Sequence, residues 1–228
     1  MFRGNAARTG EHPGPGPNGT PTVRWQFEPV DEVSSAEVAI GAGTAFLTTY
    51  DPDGFGLFSA GYVFAIDLNT GSERWRAEIG SGTDSCPVVV GNDVYVYDGS
   101  ALLRFNALTG EEETVVVADR LWTEIESSPA VSAGAAYFVS GDGFLYAADI
   151  ESGPLWKWRF PIGPIPSSPS VVGDSLYVAG YGVIKALDTS SGELRWSLDL
   201  PTIIRTTPAV VGGYVYVGGD DGNLYAIG

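Results

Sequence analysis

Ala65-Ile66-Asp67-Leu68-Asn69-Thr70-Gly71-Ser72-Glu73-Arg74-Trp75 starts as an apolar run, breaks at an Asp, turns at a Gly and resumes with a Trp. Asp caps such a turn through its carboxylate, and Gly takes the left-handed position that a Cβ would disfavour. The stretch therefore predicts two strands joined by a tight turn. It recurs as Ala186-Leu187-Asp188 with Gly192 and Trp196. Asn106 with Gly110, and Asp149 with Gly153, keep the same offset, although the first copy has no Trp and the second carries both Trp156 and Trp158.

Working upstream from each copy, an alternating aromatic-rich run precedes the turn: Ala45-Phe46-Leu47, Val94-Tyr95-Val96-Tyr97, Ala136-Tyr137-Phe138-Val139, Leu176-Tyr177-Val178 and Val215-Tyr216-Val217. Period-two runs of β-branched and aromatic residues read as strands. Pro87, Pro129, Pro169 and Pro208, each followed by small apolar residues, open four of these units. In a fifth, Ser34-Ser35-Ala36-Glu37-Val38, Ala36 is read in the proline's place, with an insertion around Asp51–Ser59. Gly141-Asp142-Gly143 and Asp221-Gly222-Asn223 supply the hairpins that follow.

Three strands plus a Trp-bearing fourth make one propeller blade, and a blade buries both faces only against neighbours. The last unit ends at Tyr225-Ala226-Ile227-Gly228, while Val23-Arg24-Trp25-Gln26-Phe27 is a Trp strand without a blade. The expected fold is all-β: a five-bladed propeller of four-stranded blades, closed by Val23–Phe27 pairing with the C-terminal blade, which would remove two open edges. Residues 1–21 read as an irregular N-terminal arm, and 22–228 as a single propeller domain.

The chain has 228 residues with 28 acidic and 12 basic side chains, a formal net charge of −16, and only Lys157 and Lys185 as lysines. That balance argues against nucleic-acid phosphates as a partner. It fits a protein of a high-salt environment, with a cationic partner as the alternative reading. No apolar run is long enough to span a membrane, and the first ten residues lack a leader's apolar segment.

Cys86 is the single cysteine, so no internal disulfide or cysteine zinc cluster forms, and it reads as a small buried hydrophobe. The lone His12 sits among prolines in the arm, leaving little material for Ser-His-Asp or metal-His chemistry. Asp51-Pro52-Asp53-Gly54 resembles part of a calcium loop but lacks its remaining acids, so it is read as an exposed turn. No catalytic residue, cofactor site or metal site is expected.

The pattern Ala-x-Asp-x-x-Thr-Gly-x-x-x-Trp, intact at Ala65–Trp75, resembles the tryptophan-docking repeat of the pyrroloquinoline-quinone-like propeller family. Asn5, Arg8, Thr9 and Gly10 are similar to the arm preceding that family's first blade. The resemblance implies a propeller in which Trp25, Trp75 and Trp196 dock on neighbouring blades, with Asp67, Gly71, Gly110, Asp149, Gly153, Asp188 and Gly192 as repeat residues. It also implies a location outside the cytoplasmic membrane. The family's quinone-dependent dehydrogenases are longer and use adjacent cysteines, which this chain lacks.

In a propeller, loops entering the innermost strands form one funnel face. Just before each proline stand hydroxyls at Ser85, Ser127, Ser167 and Thr206, with Ser34 read as the fifth. Repetition of this kind points to backbone hydrogen bonding. The residue before each hydroxyl varies (Val33, Asp84, Glu126, Pro166, Arg205), and variation on a regular frame is where specificity resides. The expected function is a non-catalytic scaffold that binds another protein or a small ligand at Asp84, Glu126 and Arg205. The second reading is a fragment or short relative of a quinone-dependent dehydrogenase or surface sensor.

Overall fold

A computed structural model describes Thr20 and residues 22–29, 38–49, 61–79, 85–98, 101–117, 127–140, 144–159 and 167–228. The described residues are all strand, turn and coil. Strands β1 (Ala39–Gly41), β2 (Thr44–Thr49), β3 (Gly61–Asp67) and β4 (Glu73–Ile79) form an antiparallel four-stranded sheet in that order. The same order recurs in β5 (Val88–Val90), β6 (Asp93–Tyr97), β7 (Ala101–Asn106) and β8 (Glu112–Val117). It recurs again in β9 (Ala130–Ser132), β10 (Ala135–Val139), β11 (Phe144–Asp149) and β12 (Gly153–Arg159).

The fourth sheet has three strands, β13 (Ser170–Val172), β14 (Ser175–Asp188) and β15 (Leu194–Ile203); the 14-residue β14 runs through the length that two strands occupy elsewhere. The fifth also has three, β16 (Ala209–Val211), β17 (Tyr214–Gly218) and β18 (Leu224–Ile227). The inner strands lie side by side in chain order: β1 beside β5, β5 beside β9, β9 beside β13 and β13 beside β16.

Alternation on the strands fills the spaces between sheets. Phe46, Val63 and Ala65 pack with Val94, Val96 and Phe105 across the first junction; Tyr95, Tyr97 and Leu102 pack with Phe138 and Tyr146 across the second. Tyr137, Leu145 and Ala147 meet Val171, Leu176 and Val178 across the third. Removing these side chains from water at roughly 25 cal/mol per Å² is what holds each sheet to the next. Cys86 is buried, as its apolar neighbours led us to expect.

The expected closure is not formed. Val23–Phe27 belongs to no strand, β17 is the partner strand of β18, and no apolar cluster joins β16–β18 to β1–β4 among the described residues. Trp25 and Phe27 pack instead on Phe64, Ile66, Ala45 and Leu47 of the first sheet, with the Phe27 and Phe64 rings 5.5 Å apart. Apolar docking on that sheet anchors the segment without a backbone ladder. Leu224 and Val211 of the fifth sheet stay 74% and 59% exposed.

The register also corrects one alignment. Ala39 pairs with Phe46 as Val88 pairs with Tyr95, so Val38, and not Ala36, occupies the place of Pro87. A three-residue inner strand and a two-residue turn fix that count in every sheet, whether or not a proline marks its start. The arm 1–21, apart from Thr20, and Asp51–Gly54 lie outside the described residues.

Candidate functional site

Each Asp–Gly turn is built alike. The Oδ1 atoms of Asp67, Asn106, Asp149 and Asp188 accept N–H bonds from the residues two and three further on, at 2.8–3.1 Å. Gly71, Gly110 and Gly192 donate their N–H to the carbonyl of the same Asp or Asn at 2.9 Å and hold φ near +72°. Arg74 donates to Asp67 Oδ2 and Arg195 to Asp188 Oδ2, at 2.5 and 2.7 Å. The Arg74 guanidinium, with the Thr70 and Asn69 N–H groups, holds the Asp67 carboxyl well below the usual carboxylate range. The Ser190 hydroxyl and the Arg195 guanidinium do the same to Asp188.

Tryptophans reach these turns, Trp75 and Trp156 from the preceding sheet and Trp25 from the segment before β1. Trp75 Nε1 donates to Ala107 O at 3.1 Å, Trp156 to Thr189 O at 3.1 Å, and Trp25 to Leu68 O at 2.9 Å. Each accepting carbonyl belongs to the residue after the turn's Asp or Asn. The rings lie over Gly110, Gly192 and Gly71, where an added Cβ would stand 2.7–2.8 Å from ring atoms. Of the two tryptophans in β12, it is Trp156 that docks, because one residue fewer separates Gly153 from it than separates Gly71 from Trp75. Trp196 packs against the cluster of Ala179, Ile184, Ile204, Val215 and Val217, its ring 6.0 Å from that of Tyr177.

At three inner-strand entrances the hydroxyl serves the backbone. Ser167 Oγ donates to Ala179 O and accepts from its N–H, at 2.9 and 3.1 Å; Thr206 Oγ1 accepts from Gly218 N–H at 2.8 Å and Ser127 Oγ from Val139 N–H at 3.4 Å. The next residue along links sheets: Cys86 N–H donates to Ser128 Oγ at 2.7 Å and Ser128 N–H to Ser168 Oγ at 2.9 Å. All these serines are buried, so each bond spares a desolvated group from being left unpaired.

Of the three residues expected to face a ligand, Asp84 and Glu126 lie outside the described residues. Arg205 stands between buried Ile204 and exposed Thr206 at the entrance to β16, with its side chain 45% exposed. Its Nε donates to Asp220 Oδ2 at 2.8 Å, a partner that sequence reasoning missed because fifteen residues separate the two. Asp220 is in the β17–β18 turn, and its N–H bonds Ile203 O at 2.9 Å, so turn and entrance loop form one surface. Beside it Asp221 accepts from the Tyr225 hydroxyl at 2.6 Å, which with the Asn223 amide pulls its carboxyl below the usual range.

The family model described as outer membrane protein assembly factor BamB matches residues 18–123, 59–160 and 154–228 in overlapping stretches. Among solved structures, BamB from Moraxella catarrhalis is similar with a TM-score of 0.68 at 20% identity, over 89% of this chain and 61% of that one. The chain thus spans about three fifths of that protein's length. No curated protein sequence matches. With the family model matched from residue 18 to residue 228, and five antiparallel sheets of which four carry the same turn, the chain belongs to the pyrroloquinoline-quinone-like repeat family described as outer membrane protein assembly factor BamB.

Proposed function

We propose that the protein is a non-catalytic interaction scaffold that receives another protein on the face where loops enter the inner strands. The observation that carries this reading is the contrast at those entrances: the hydroxyls of Ser127, Ser167 and Thr206 are consumed by backbone bonds, while the preceding position carries Arg205 and, by sequence, Asp84 and Glu126. A frame satisfied within itself, carrying changing charges at its rim, suits recognition of a polar surface. The family's description, an outer membrane protein assembly factor, supports a protein as the partner and a location outside the cytoplasmic membrane. The acidic, lysine-poor composition supports a high-salt setting.

Affinity capture from an extract of the source cells tests the reading. Wild-type bait should retain a discrete set of proteins that Asp84→Arg/Glu126→Arg/Arg205→Glu bait loses and Leu155→Glu/Leu194→Glu bait, altered on outer strands, keeps. Equal retention by all three baits sinks it.

A further inference from the structure

One junction between sheets is made differently. Trp25, Trp75 and Trp156 serve the first, second and fourth sheets, but Thr114 stands where the repeat would place the tryptophan that serves the third. In its stead, Arg104 of β7 occupies the position held elsewhere by Ala65, Ala147 and Ala186, the small residues paired with Trp75, Trp156 and Trp196. Arg104 Nη1 donates to Ile150 O at 3.3 Å, the carbonyl equivalent to those of Leu68, Ala107 and Thr189. It also donates to Glu151 at 2.8 Å, and Nη2 donates to Glu113.

The backbone has adjusted to this exchange. In β4 and β15 the register skips Arg74 and Arg195, which swing onto the turn's Asp. In β8 the skip moves on to Val115, leaving Glu113 directly opposite Arg104. Val115 O then comes 3.8 Å from where a Cβ on Gly153 would stand, in the place that an indole fills at Gly71, Gly110 and Gly192. On the second sheet, Asp93, Arg104, Asn106, Glu111, Glu112 and Glu113 line an open hollow of about 550 Å³, and Arg104 is the one cation among them.

We propose that Arg104 is the docking residue of this junction, and that it makes the junction between the second and third sheets an ionic clasp that loosens as ionic strength rises. The inner part of the same junction is apolar, with Tyr97 4.8 Å from Phe138 and bonded to Ser140 Oγ at 3.0 Å, so the inner strands act as the pivot and the outer edges separate. Glu113 and Glu151 are 62% and 74% exposed and open to counter-ions, whereas Trp75 holds the Asn106 turn through an uncharged indole and a backbone carbonyl.

Paired nitroxide labels test this by pulsed electron spin resonance, with Cys86→Ser, the residue type of Ser128 and Ser168, leaving no native thiol. Labels at Leu108→Cys and Leu155→Cys bracket the clasp; labels at Asn69→Cys and Leu108→Cys bracket the Trp75 junction. Raising KCl from about 0.1 M to about 1 M, which shortens the screening length from about 10 Å to about 3 Å, should lengthen and broaden the first distance and leave the second unchanged. Arg104→Ala should give the long, broad distribution already at low salt. The proposal is overturned if both junctions respond alike, if the clasp distance ignores salt, or if Arg104→Ala leaves a short, salt-sensitive distance. Wild-type Arg104 carries the decisive comparison by itself should the variant not fold.

Discussion

Trp75 lies flat over Gly110 of the next sheet while its indole N–H donates to Ala107 O at 3.1 Å, so one side chain both fills and hydrogen-bonds the neighbouring turn. Gly110→Ala should therefore be costly twice over: its Cβ would meet the ring at 2.7 Å, and φ of +73° disfavours any Cβ. Chemical denaturation should show a loss of about 2 kcal/mol or more. Gly134→Ala, at φ +79° with open space around it, isolates the backbone strain and should lose only about 1–2 kcal/mol. Equal losses would deny the ring its role.

Trp25→Ala should destabilise the first sheet. The indole is half-buried and bonded to Leu68 O, so the loss should be about 1–3 kcal/mol, below that of a fully buried Trp. Hydrogen exchange should quicken in β2 and β3 and not in β17 and β18. Quickening in the last sheet would instead show that Val23–Phe27 is attached there.

The turns set an acid limit. Asp67 and Asp188 are held below their ordinary pKa in the fold, so the stability they add is present above the unfolded carboxylate value of about 3.9 and is lost as pH falls below it. Asp67→Asn/Asp188→Asn should keep the turns, since Asn106 already caps one, yet flatten the fall in melting temperature between about pH 4 and about pH 2. An unchanged acid limb would place the titration elsewhere.

Overall stability should rise with salt even while the Arg104 clasp loosens. A net charge of −16 repels itself, and screening relieves that repulsion across the whole surface. The melting temperature should climb between about 0.1 M and about 1 M KCl; a flat response removes the high-salt reading.

How much of this was legible in the sequence differs from residue to residue. The Asp67-to-Gly71 spacing announced the turn, because both residues act within one stretch of chain, whereas the reach of Trp75 onto the next sheet was implied only by the family resemblance. Val38 was misread because no proline marks it, although counting back from Ala45-Phe46 would have found it. Choosing Trp156 over Trp158 depended on a one-residue shift that only the ladder reveals. Arg104 left one faint trace, a charge two residues before the turn in the same repeat that lacks its Trp. The seating of Trp25 on the first sheet and the Arg205–Asp220 pair are long-range contacts with no local signature.

The recognition face is tested most directly by photo-crosslinking in living cells. A benzophenone amino acid placed at Arg205, beside the Asp220 turn, should yield discrete protein adducts, while the same group at Leu194, on an outer strand and 47% exposed, should not. Adducts of equal yield and identity from both positions, or none from Arg205, would contradict a scaffold that works through its inner-loop face.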